Sequence, residues 1–296
     1  MLIASAELQQ RGKGNLGIYQ HTLRRRSGEI ILIVEKRVPN AHKQEIAVST
    51  ELCCRTKSQS LQGNSPLPNV HSIARRGKHT AVFMPHYSGL GLRLKNGGNY
   101  GRLLAGALLE LARSDLSLGS RNATIQELRE SFGFAFAFRR CLWHPSYMAL
   151  HARAIGLCMT SLPLLGKIPV VISHNDLHNK NICLTSQSKH ARVTFLDLGL
   201  ISMNYAGADL CHLLRKSTTK RYWQYAYKAA LHDYSLGMHC DPSLLALAAH
   251  CYALLRWLKT CRAAIEKRES DQQISDKLLQ ATRLSQSHRA LLEGLS

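Results

Sequence analysis

Acidic residues are scarce in this chain of 296 residues, which carries 19 Asp and Glu against 39 Lys and Arg and a formal net charge of +20. Such a charge attracts anionic molecules, of which nucleotides, nucleic acids and anionic glycans are examples. The basic residues are scattered along the chain, with only short runs such as Arg24–Arg26 and Arg139–Arg140. Scattered charge favours general attraction of anions over a dedicated nucleic-acid groove, so we expect no nucleic-acid partner.

Long apolar runs and paired cysteine motifs are also missing. No run of 18 or more apolar residues occurs, which predicts a chain without a membrane span, and the N-terminal segment lacks the basic and apolar stretches of a signal peptide. The nine cysteines include no pair with CxxC spacing. These absences predict a cytoplasmic protein with reduced thiols and no structural zinc site.

Two kinds of pattern divide the chain. Apolar and β-branched runs predict strands at 3–10, 18–23, 30–38, 71–74 and 80–84, with one helix at 41–57. Further on, the pattern predicts helices at 100–114, 121–140, 146–161, 208–216, 219–237, 243–266 and 272–292, and short strands at 169–173, 182–185 and 192–196. Glycines 89, 91, 97 and 98 crowd the stretch between, which we interpret as a connection. The order predicts an α+β fold, with a β-rich part at 1–88 and a larger, mainly helical part at 89–296.

Two carboxylates stand alone in a long stretch that is poor in acids. Between residues 131 and 208 the only acidic residues are Asp176 and Asp197, and each follows a predicted strand. Turns that follow strands commonly display catalytic groups. The acids that remain in this stretch are therefore candidates for chemistry.

The segment His174–Asn181 reads HNDLHNKN, an HxDxxxxN pattern. The Asp of such a loop accepts the proton of a substrate hydroxyl, and the Asn oxygen ligates a hard cation such as Mg²⁺. Asp197 follows sixteen residues after Asn181, where a carboxylate binds the same metal and bridges it to nucleotide phosphates. The alternative is a polar turn with capping residues, which the flanking strands and Asp197 disfavour.

These residues resemble the catalytic and metal-binding core of the protein-kinase-like fold. The similarity is greatest to the aminoglycoside phosphotransferase and choline kinase family, whose loops often read HxDLHxxN, or HND in choline kinases. Choline and ethanolamine kinases also carry an Asp, an Asn seven residues later and an Asp five residues beyond that. In this chain the corresponding residues are Asp197, Asn204 and Asp209.

The resemblance is specific over residues 170–214. It implies a two-lobed kinase-like fold with an N-lobe at 1–88 and a C-lobe at 89–296, and it implies ATP and Mg²⁺ as cofactors. By the same resemblance, Asp176 is the catalytic base, His174 braces the loop, and Asn181 and Asp197 hold the metal ion.

A glycine-rich segment near the start suits a phosphate-binding loop. Gly12, Gly14 and Gly17 form GxGxxG between two predicted strands, and glycines let backbone amides approach phosphates. A strand after the motif suits a kinase-type loop, because a dinucleotide-binding fold requires a helix there. Nineteen residues past Gly17, Lys36 is similar to the family's strand lysine, which neutralises phosphate charge. The alternative for Lys36 is a solvated lysine at a strand end.

The remaining nucleotide contacts are also expected in the front part. The helix at 41–57 offers Glu45 or Glu51 to orient Lys36, and we prefer Glu45 because it is nearer the helix start. The segment 82–87, which includes Met84, is expected to meet the adenine, with ordinary core packing as the alternative.

The spacing after Asp197 discriminates between kinds of kinase. Only about ten residues separate Asp197 from the next predicted helix, whereas a protein kinase needs a longer activation loop and an APE-like element. This favours a small-molecule kinase. One departure from choline kinases is Gly199, which stands where those enzymes usually carry an acid.

The predicted reaction is transfer of the ATP γ-phosphate to a hydroxyl of a small substrate, either an amino alcohol such as choline or ethanolamine, or a sugar. Aromatic residues between Tyr222 and Tyr234 either hold a choline-like cation or pack between helices. The net charge favours a neutral or anionic acceptor, whereas the choline-kinase-like spacing favours an amino alcohol, and we follow the spacing. The alternative function is non-catalytic: a kinase-like nucleotide-binding protein, or a basic scaffold that binds nucleic acid or anionic glycans.

Overall fold

The computed structural model describes residues 1–9, 16–58, 65–87, 96–119, 121–133, 144–178, 180–187, 190–217 and 220–295. Its strands are β1 (Leu2–Gln9), β2 (Ile18–Arg24), β3 (Ile30–Pro39), β4 (Ser72–Arg76), β5 (His79–Pro85), β6 (Val170–Ser173), β7 (Ile182–Gln187), β8 (His190–Phe195) and β9 (Ser202–Tyr205). Its α-helices are α1 (Lys43–Lys57), α2 (Gly97–Ala112), α3 (Ala123–Gly133), α4 (Pro145–Leu165), α5 (Cys211–Ser217), α6 (Arg221–Met238), α7 (Pro242–Glu266) and α8 (Asp271–Glu293). Short 3₁₀ turns lie at Leu198–Leu200 and Ala208–Leu210.

The chain divides into two compact units. The first comprises Met1–Arg93, Arg113–Leu118 and Asp176–Ile201, and the second comprises Leu94–Ala112, Gly119–Asn175 and Ser202–Ser296. The division that the sequence predicts, between residues 88 and 89, stays a prediction.

A five-stranded antiparallel sheet with the order β1-β2-β3-β5-β4 forms the base of the first unit. The five strands predicted for the front of the chain are all present. Lys36 lies on β3 and pairs with Ile18 of β2 on one side and Val82 of β5 on the other. The sheet therefore places Lys36 on a central strand.

Helix α1 joins β3 to the β4–β5 hairpin and confirms the helix predicted for this region. Its buried residues recur at the spacing of one helical face, and they are Glu45, Val48, Ser49, Leu52 and Cys53. Because Glu45 belongs to this otherwise mostly apolar face, its carboxylate is buried in the first unit.

Strands β7 and β8 form a separate hairpin in the first unit, as the sequence predicts. Ile182 pairs with Phe195, so Asn181 and Asp197 lie close to the same end of the hairpin. The backbone N–H of Phe195 also donates to Pro66 O at 2.7 Å, which ties the hairpin to the chain segment before β4.

The second unit is helical, with α7 as its most buried element. Every residue of α7 from Leu245 to Leu255 is buried, as is typical of a core helix that is apolar on all sides. Helix α8 begins with a capping box in which Ser270 and Gln273 satisfy each other's backbone N–H groups. Together with the sheet of the first unit, these helices confirm the predicted α+β class.

Two glycines expected in the connection begin a helix instead. Gly97 and Gly98 are the first residues of α2, while residues 89 and 91 lie outside the described part of the chain. A side chain at Gly97 or Gly101 would collide with the backbone of Tyr222 or Ala226 on α6. These glycines therefore allow α2 and α6 to pack closely.

The small sheet of β6 and β9 in the second unit was only half predicted. Val171 of β6 pairs with Asn204 of β9, but the sequence pattern predicts no strand at 202–205. The reason is that the one buried residue of β9 is Asn204, a polar residue, so the segment lacks the apolar alternation typical of a strand.

Among the described residues, one helix is long and apolar enough to cross a membrane by length and composition. This helix is α4, and 33% of its most apolar 18-residue window is buried. Core helices of water-soluble proteins have the same properties, so α4 alone is weak evidence for a span.

Two buried histidines make the second unit sensitive to acid. The rings of His250 on α7 and His288 on α8 lie 6.1 Å apart, and His288 Nε2 is 2.8 Å from Ser161 Oγ. Burial lowers the pKa of both rings from 6.5 to about 4, and for His250 the neighbouring His288 adds to this effect. Both rings are therefore neutral in the folded protein at pH 7.

We expect the free energy of unfolding to fall as the pH drops from 6.5 towards 4. In this window the unfolded chain protonates both histidines and the folded protein does not, so acid favours unfolding, by up to about 3 kcal/mol for each ring. Urea unfolding at pH 7, 5.5 and 4.5 measures the effect. His288→Phe should flatten this pH dependence, and His232→Ala, which changes an exposed histidine, should not. An unchanged slope in His288→Phe would contradict the assignment.

Candidate active site

Lys36 binds two carboxylates in the first unit. Its Nζ donates to Glu45 Oε1 at 2.5 Å and to Asp197 Oδ1 at 2.7 Å. The side chains of Lys36 and Glu45 are buried, whereas that of Asp197 is 49% exposed. The cluster therefore joins an internal ion pair to a carboxylate that solvent can reach.

The lysine of this cluster is charged. Burial of the Lys36 ammonium opposes its charge, but attraction by Glu45 and by Asp197 outweighs burial and raises the pKa of Lys36 above its ordinary value. The strand thus carries a fixed positive charge at this position.

The partner of Lys36 on α1 is Glu45. The other candidate, Glu51, accepts hydrogen bonds from Arg55 and from the backbone N–H of Ser117, the latter at 3.1 Å. Glu51 therefore stabilises a separate contact of the first unit.

Asp197 has an unusual backbone conformation. Its φ of 58° lies in the left-handed region, which non-glycine residues rarely adopt and which recurs at functional sites. Two residues later, a side chain at Gly199 would place its Cβ 3.2 Å from Glu45 Oε2 and 3.6 Å from Asp197 Oδ1. An acid at position 199 would thus add a third carboxylate beside these two, and glycine leaves that space open.

Hydrogen bonds link Asn181 to both Asp176 and the strand that leads to Asp197. Asn181 Nδ2 donates to Asp176 O at 2.9 Å, and Leu196 N–H donates to Asn181 O at 2.8 Å. The structure therefore holds Asn181 beside the residue that precedes Asp197. Both proposed metal ligands belong to the same end of the β7–β8 hairpin.

The donor set of this hairpin end suits Mg²⁺. Asn181 Nδ2 donates to Asp176 O, so Oδ1 is the atom of this amide that could ligate a cation, and Asp197 adds a carboxylate. Two oxygen ligands from the protein, completed by phosphate and water oxygens, are usual for Mg²⁺ in nucleotide sites. Among the described residues no group of three or more His, Cys, Asp or Glu side chains is placed to hold a metal ion.

Asp176 is the partly exposed carboxylate of the HxDxxxxN segment, His174–Asn181. Its side chain is 27% exposed, and its Oδ2 lies 3.9 Å from His178 Nε2. The boundary between two segments of the chain falls directly before Asp176: Gly119–Asn175 belongs to the second unit and Asp176–Ile201 to the first. In the second unit, the backbone N–H groups of His174 and Asn175 each donate to the carboxylate of Asp209 at 2.8 Å. His174 is fully buried, and its bracing role stays a prediction.

Only part of the predicted nucleotide cradle lies in the described residues. Gly12 and Gly14 lie outside them. Gly17 has a φ of 130°, and its carbonyl accepts the N–H of Arg37 at 3.0 Å, so the end of the glycine-rich segment adjoins the strand of Lys36. Met84 lies on β5 opposite Val34, and its contact with adenine stays a prediction.

The aromatic segment of α6 packs between helices. Trp223 contacts Tyr222 and Tyr100 of α2, with ring centroids 4.9 and 5.7 Å away. Lys216 of α5 places its Nζ 4.4 Å from the centre of the Trp223 ring. Burial, followed by repulsion from Arg215, lowers the pKa of Lys216 to about 8. The protein's own amine thus lies on the face of Trp223, which favours helix packing over a cation cage at this residue.

Sequence reasoning missed Asn175, whose φ is 62°. Asn tolerates the left-handed region better than most residues, and its place directly before Asp176 was a signal for such a turn. Most of its hydrogen-bond partners, Asp209 and Tyr252 among them, come from distant parts of the chain, and no local pattern indicates them.

Solved structures have the same fold as this chain. It is similar to a spectinomycin phosphotransferase in complex with ADP and spectinomycin, at 12% identity and a TM-score of 0.62, over 98% of this chain and 93% of the other. It is also similar to an aminoglycoside phosphotransferase from Alicyclobacillus acidocaldarius, at 18% identity and a TM-score of 0.59, over 98% of this chain and 92% of the other. The choline kinase LicA from Streptococcus pneumoniae is similar at 14% identity and a TM-score of 0.64, over 97% of this chain and 94% of the other. No protein-family model matches the sequence, and no curated protein sequence is significantly similar to it.

Identities of this size establish the fold alone. The chain has the protein-kinase-like fold that aminoglycoside phosphotransferases and choline kinases share. The predicted resemblance is therefore confirmed at the level of the fold.

Proposed function

We propose that the protein transfers the γ-phosphate of ATP to a hydroxyl group of a small molecule, either an amino alcohol such as choline or ethanolamine, or a sugar. The observation that carries this proposal is the charged Lys36 held between Glu45 and Asp197. Similar structures support it, because one holds ADP together with spectinomycin and another is a choline kinase.

Each residue of the site has a role in the proposed reaction. Lys36 would neutralise phosphate oxygens of ATP, and Glu45 would orient its ammonium. Asn181 and Asp197 would hold Mg²⁺, which when bound supplies positive charge to the phosphate oxygens. Asp176 would orient the acceptor hydroxyl and take its proton as the oxygen bonds to the γ-phosphorus and ADP leaves. Catalysis would consist mainly of positioning and charge neutralisation.

The chain after Asp197 supports a small-molecule acceptor over a protein. The residues between Asp197 and α5 form two 3₁₀ turns and β9, and β9 pairs with β6. A protein kinase uses this part of its chain for an activation loop. Here it is short and built into regular structure.

Two observations favour different acceptors. The spacing of Asp197, Asn204 and Asp209 favours an amino alcohol, by resemblance to choline and ethanolamine kinases. The net charge of +20 and the lysine on the face of Trp223 favour a neutral sugar. Both classes therefore belong in the substrate screen.

Thermal unfolding tests nucleotide binding. We expect ATP to raise the Tm when Mg²⁺ is present, because a ligand that binds only the folded state stabilises it. Asp197→Ala should remove the part of the shift that depends on Mg²⁺, and Asp115→Ala, which changes an exposed carboxylate elsewhere in the first unit, should retain it. If heparin or RNA raises the Tm and ATP does not, the basic-scaffold alternative is correct.

Release of ADP tests the transfer itself. Mg·ATP is incubated with amino alcohols, sugars and nucleosides in turn, and a phosphorylated product is sought by mass spectrometry. We expect one class to accelerate ADP release well above the rate with water. Binding of ATP without transfer to any acceptor would favour the non-catalytic nucleotide-binding alternative.

A further inference from the structure

Asn175 determines how the chain enters the catalytic loop. It directly precedes Asp176, and its φ of 62° places it in the left-handed region. This conformation is unfavourable for a residue with a side chain, so contacts elsewhere must hold it. Because residue 176 is bonded to residue 175, the contacts that fix the backbone of Asn175 also fix the direction in which the chain continues at Asp176.

Buried hydrogen bonds hold Asn175 within the second unit. Its backbone N–H donates to Asp209 Oδ1 at 2.8 Å, and its carbonyl accepts the hydroxyl of Tyr252 at 2.9 Å. Its Nδ2 donates to Ser173 O at 3.0 Å and Ser202 Oγ at 2.9 Å. The side-chain oxygen accepts from Asn204 Nδ2 at 2.7 Å, so both ends of the amide are bound.

The amide of Asn204 has a defined orientation. Its Oδ1 accepts from the backbone N–H of Thr124 at 3.2 Å, the Thr124 hydroxyl at 2.6 Å and the N–H of Tyr205 at 2.9 Å. Three donors around one oxygen leave Nδ2 as the group that faces Asn175. Asn204 is fully buried, so water does not replace these bonds.

We propose that Asn204 is a positioning residue for Asp176 and acts by locking Asn175 in its left-handed conformation. The inference rests on the proposed function, because it assigns Asp176 the part of the base. Thr124 at the start of α3 fixes the Asn204 amide, the amide fixes the Asn175 side chain, and the Asn175 backbone directs Asp176. The spacing of Asn204 from Asp197 and Asp209 thereby acquires a structural explanation.

Asn204→Asp tests the central contact. The variant keeps the oxygen that accepts from Thr124, but it replaces the Nδ2 donor with an acceptor that faces Asn175 Oδ1. We expect kcat for ADP release to fall at least tenfold, measured with the acceptor from the screen or with water as the acceptor. The KM for Mg·ATP should stay within about twofold, because Lys36, Asn181 and Asp197 lie in the first unit and are unchanged.

Two substitutions of Asn175 separate backbone conformation from packing. Asn175→Gly and Asn175→Ala both remove the amide, but only glycine adopts a φ of 62° without strain. We expect Asn175→Gly to retain a higher kcat than Asn175→Ala. In the Asn175→Gly background, Asn204→Asp should have little further effect on kcat, because the two residues act through one contact.

A matched control comes from the same region. Asn122 caps α3 through Ile125 N–H at 3.2 Å and lies two residues from Thr124, so Asn122→Ala should lower the Tm and leave kcat unchanged. If Asn204→Asp does not fold, Thr124→Val, which removes only the hydroxyl donor, should lower kcat in the same direction by a smaller factor.

The results distinguish this inference from the proposed function. The positioning role is wrong if Asn204→Asp lowers the Tm but leaves kcat unchanged at a temperature where the variant is folded. If Asn204→Asp does not fold, the same result with Thr124→Val would show this. Equal kcat values for Asn175→Gly and Asn175→Ala would also overturn it. If no acceptor accelerates ADP release by the unsubstituted protein, it is the proposed function that fails. If Asp176→Asn keeps full activity, the role of Asp176 as the base fails, although the protein still transfers phosphate.

Discussion

Asp176→Asn should lower kcat for phosphate transfer by about 10³-fold, whereas the KM for Mg·ATP should change by less than about twofold. The amide has the shape of the carboxylate but does not accept the hydroxyl proton, and removal of a general base costs about 10²–10⁴ in rate. Nucleotide binding is retained because Lys36 and Asp197 are unchanged, and because the bond from Asn181 reaches the backbone oxygen of residue 176 rather than its side chain.

A neighbouring histidine provides the control for this result. His178 belongs to the same loop, its side chain is 47% exposed, and its Nε2 lies 3.9 Å from Asp176 Oδ2. We expect His178→Ala to keep kcat within about threefold of the unsubstituted protein. The role of Asp176 would be contradicted if Asp176→Asn retained a tenth of the activity or if His178→Ala were the inactive variant.

Local sequence patterns were sufficient to predict most of the helices and strands. Helix α1 buries residues at helical spacing, and the β4–β5 hairpin turns at Gly77, whose φ of 55° suits glycine. The HxDxxxxN segment was informative because its chemistry depends on residues only five apart. Features that local propensity and short spacing determine are readable from the sequence alone.

The elements that the sequence did not predict depend on distant contacts. Strand β9 exists because it pairs with β6 and buries Asn204, and Gly97 begins α2 because that helix packs against α6. The residues near β9 and near Gly97 do not indicate either the strand or the start of the helix. The same is true of the contacts around Asn175 and Asn204, which join α3, α7 and β9.

The choice between Glu45 and Glu51 as the partner of Lys36 also depends on distant contacts. The two residues are six positions apart on α1, so they lie on different sides of the helix, and the sequence alone does not fix which side faces β3. The packing of Leu52 and Val48 into the core settles it, because Glu45 shares their face. Lys36 and Asp197 are 161 residues apart and meet only in the folded first unit.

Lys36→Met should destabilise the protein by about 3 kcal/mol and abolish most phosphate transfer. The substitution removes the ammonium that neutralises Glu45, whose side chain is only 6% exposed, and breaking a buried ion pair from one side leaves an uncompensated charge. The phosphates of ATP also lose a positive charge. Urea unfolding at pH 7 measures the first effect, and ADP release measures the second.

The double variant Lys36→Met/Glu45→Gln separates these two effects. Neutralising both partners removes the buried charge, so most of the lost free energy of unfolding should return. The activity should not return, because the phosphates still lack their cation. Recovery of turnover along with stability would show that Lys36 serves only to hold α1 in place. Stability that stays as low as in Lys36→Met would instead show that the exposed Asp197, and not Glu45, is the partner whose charge must be balanced.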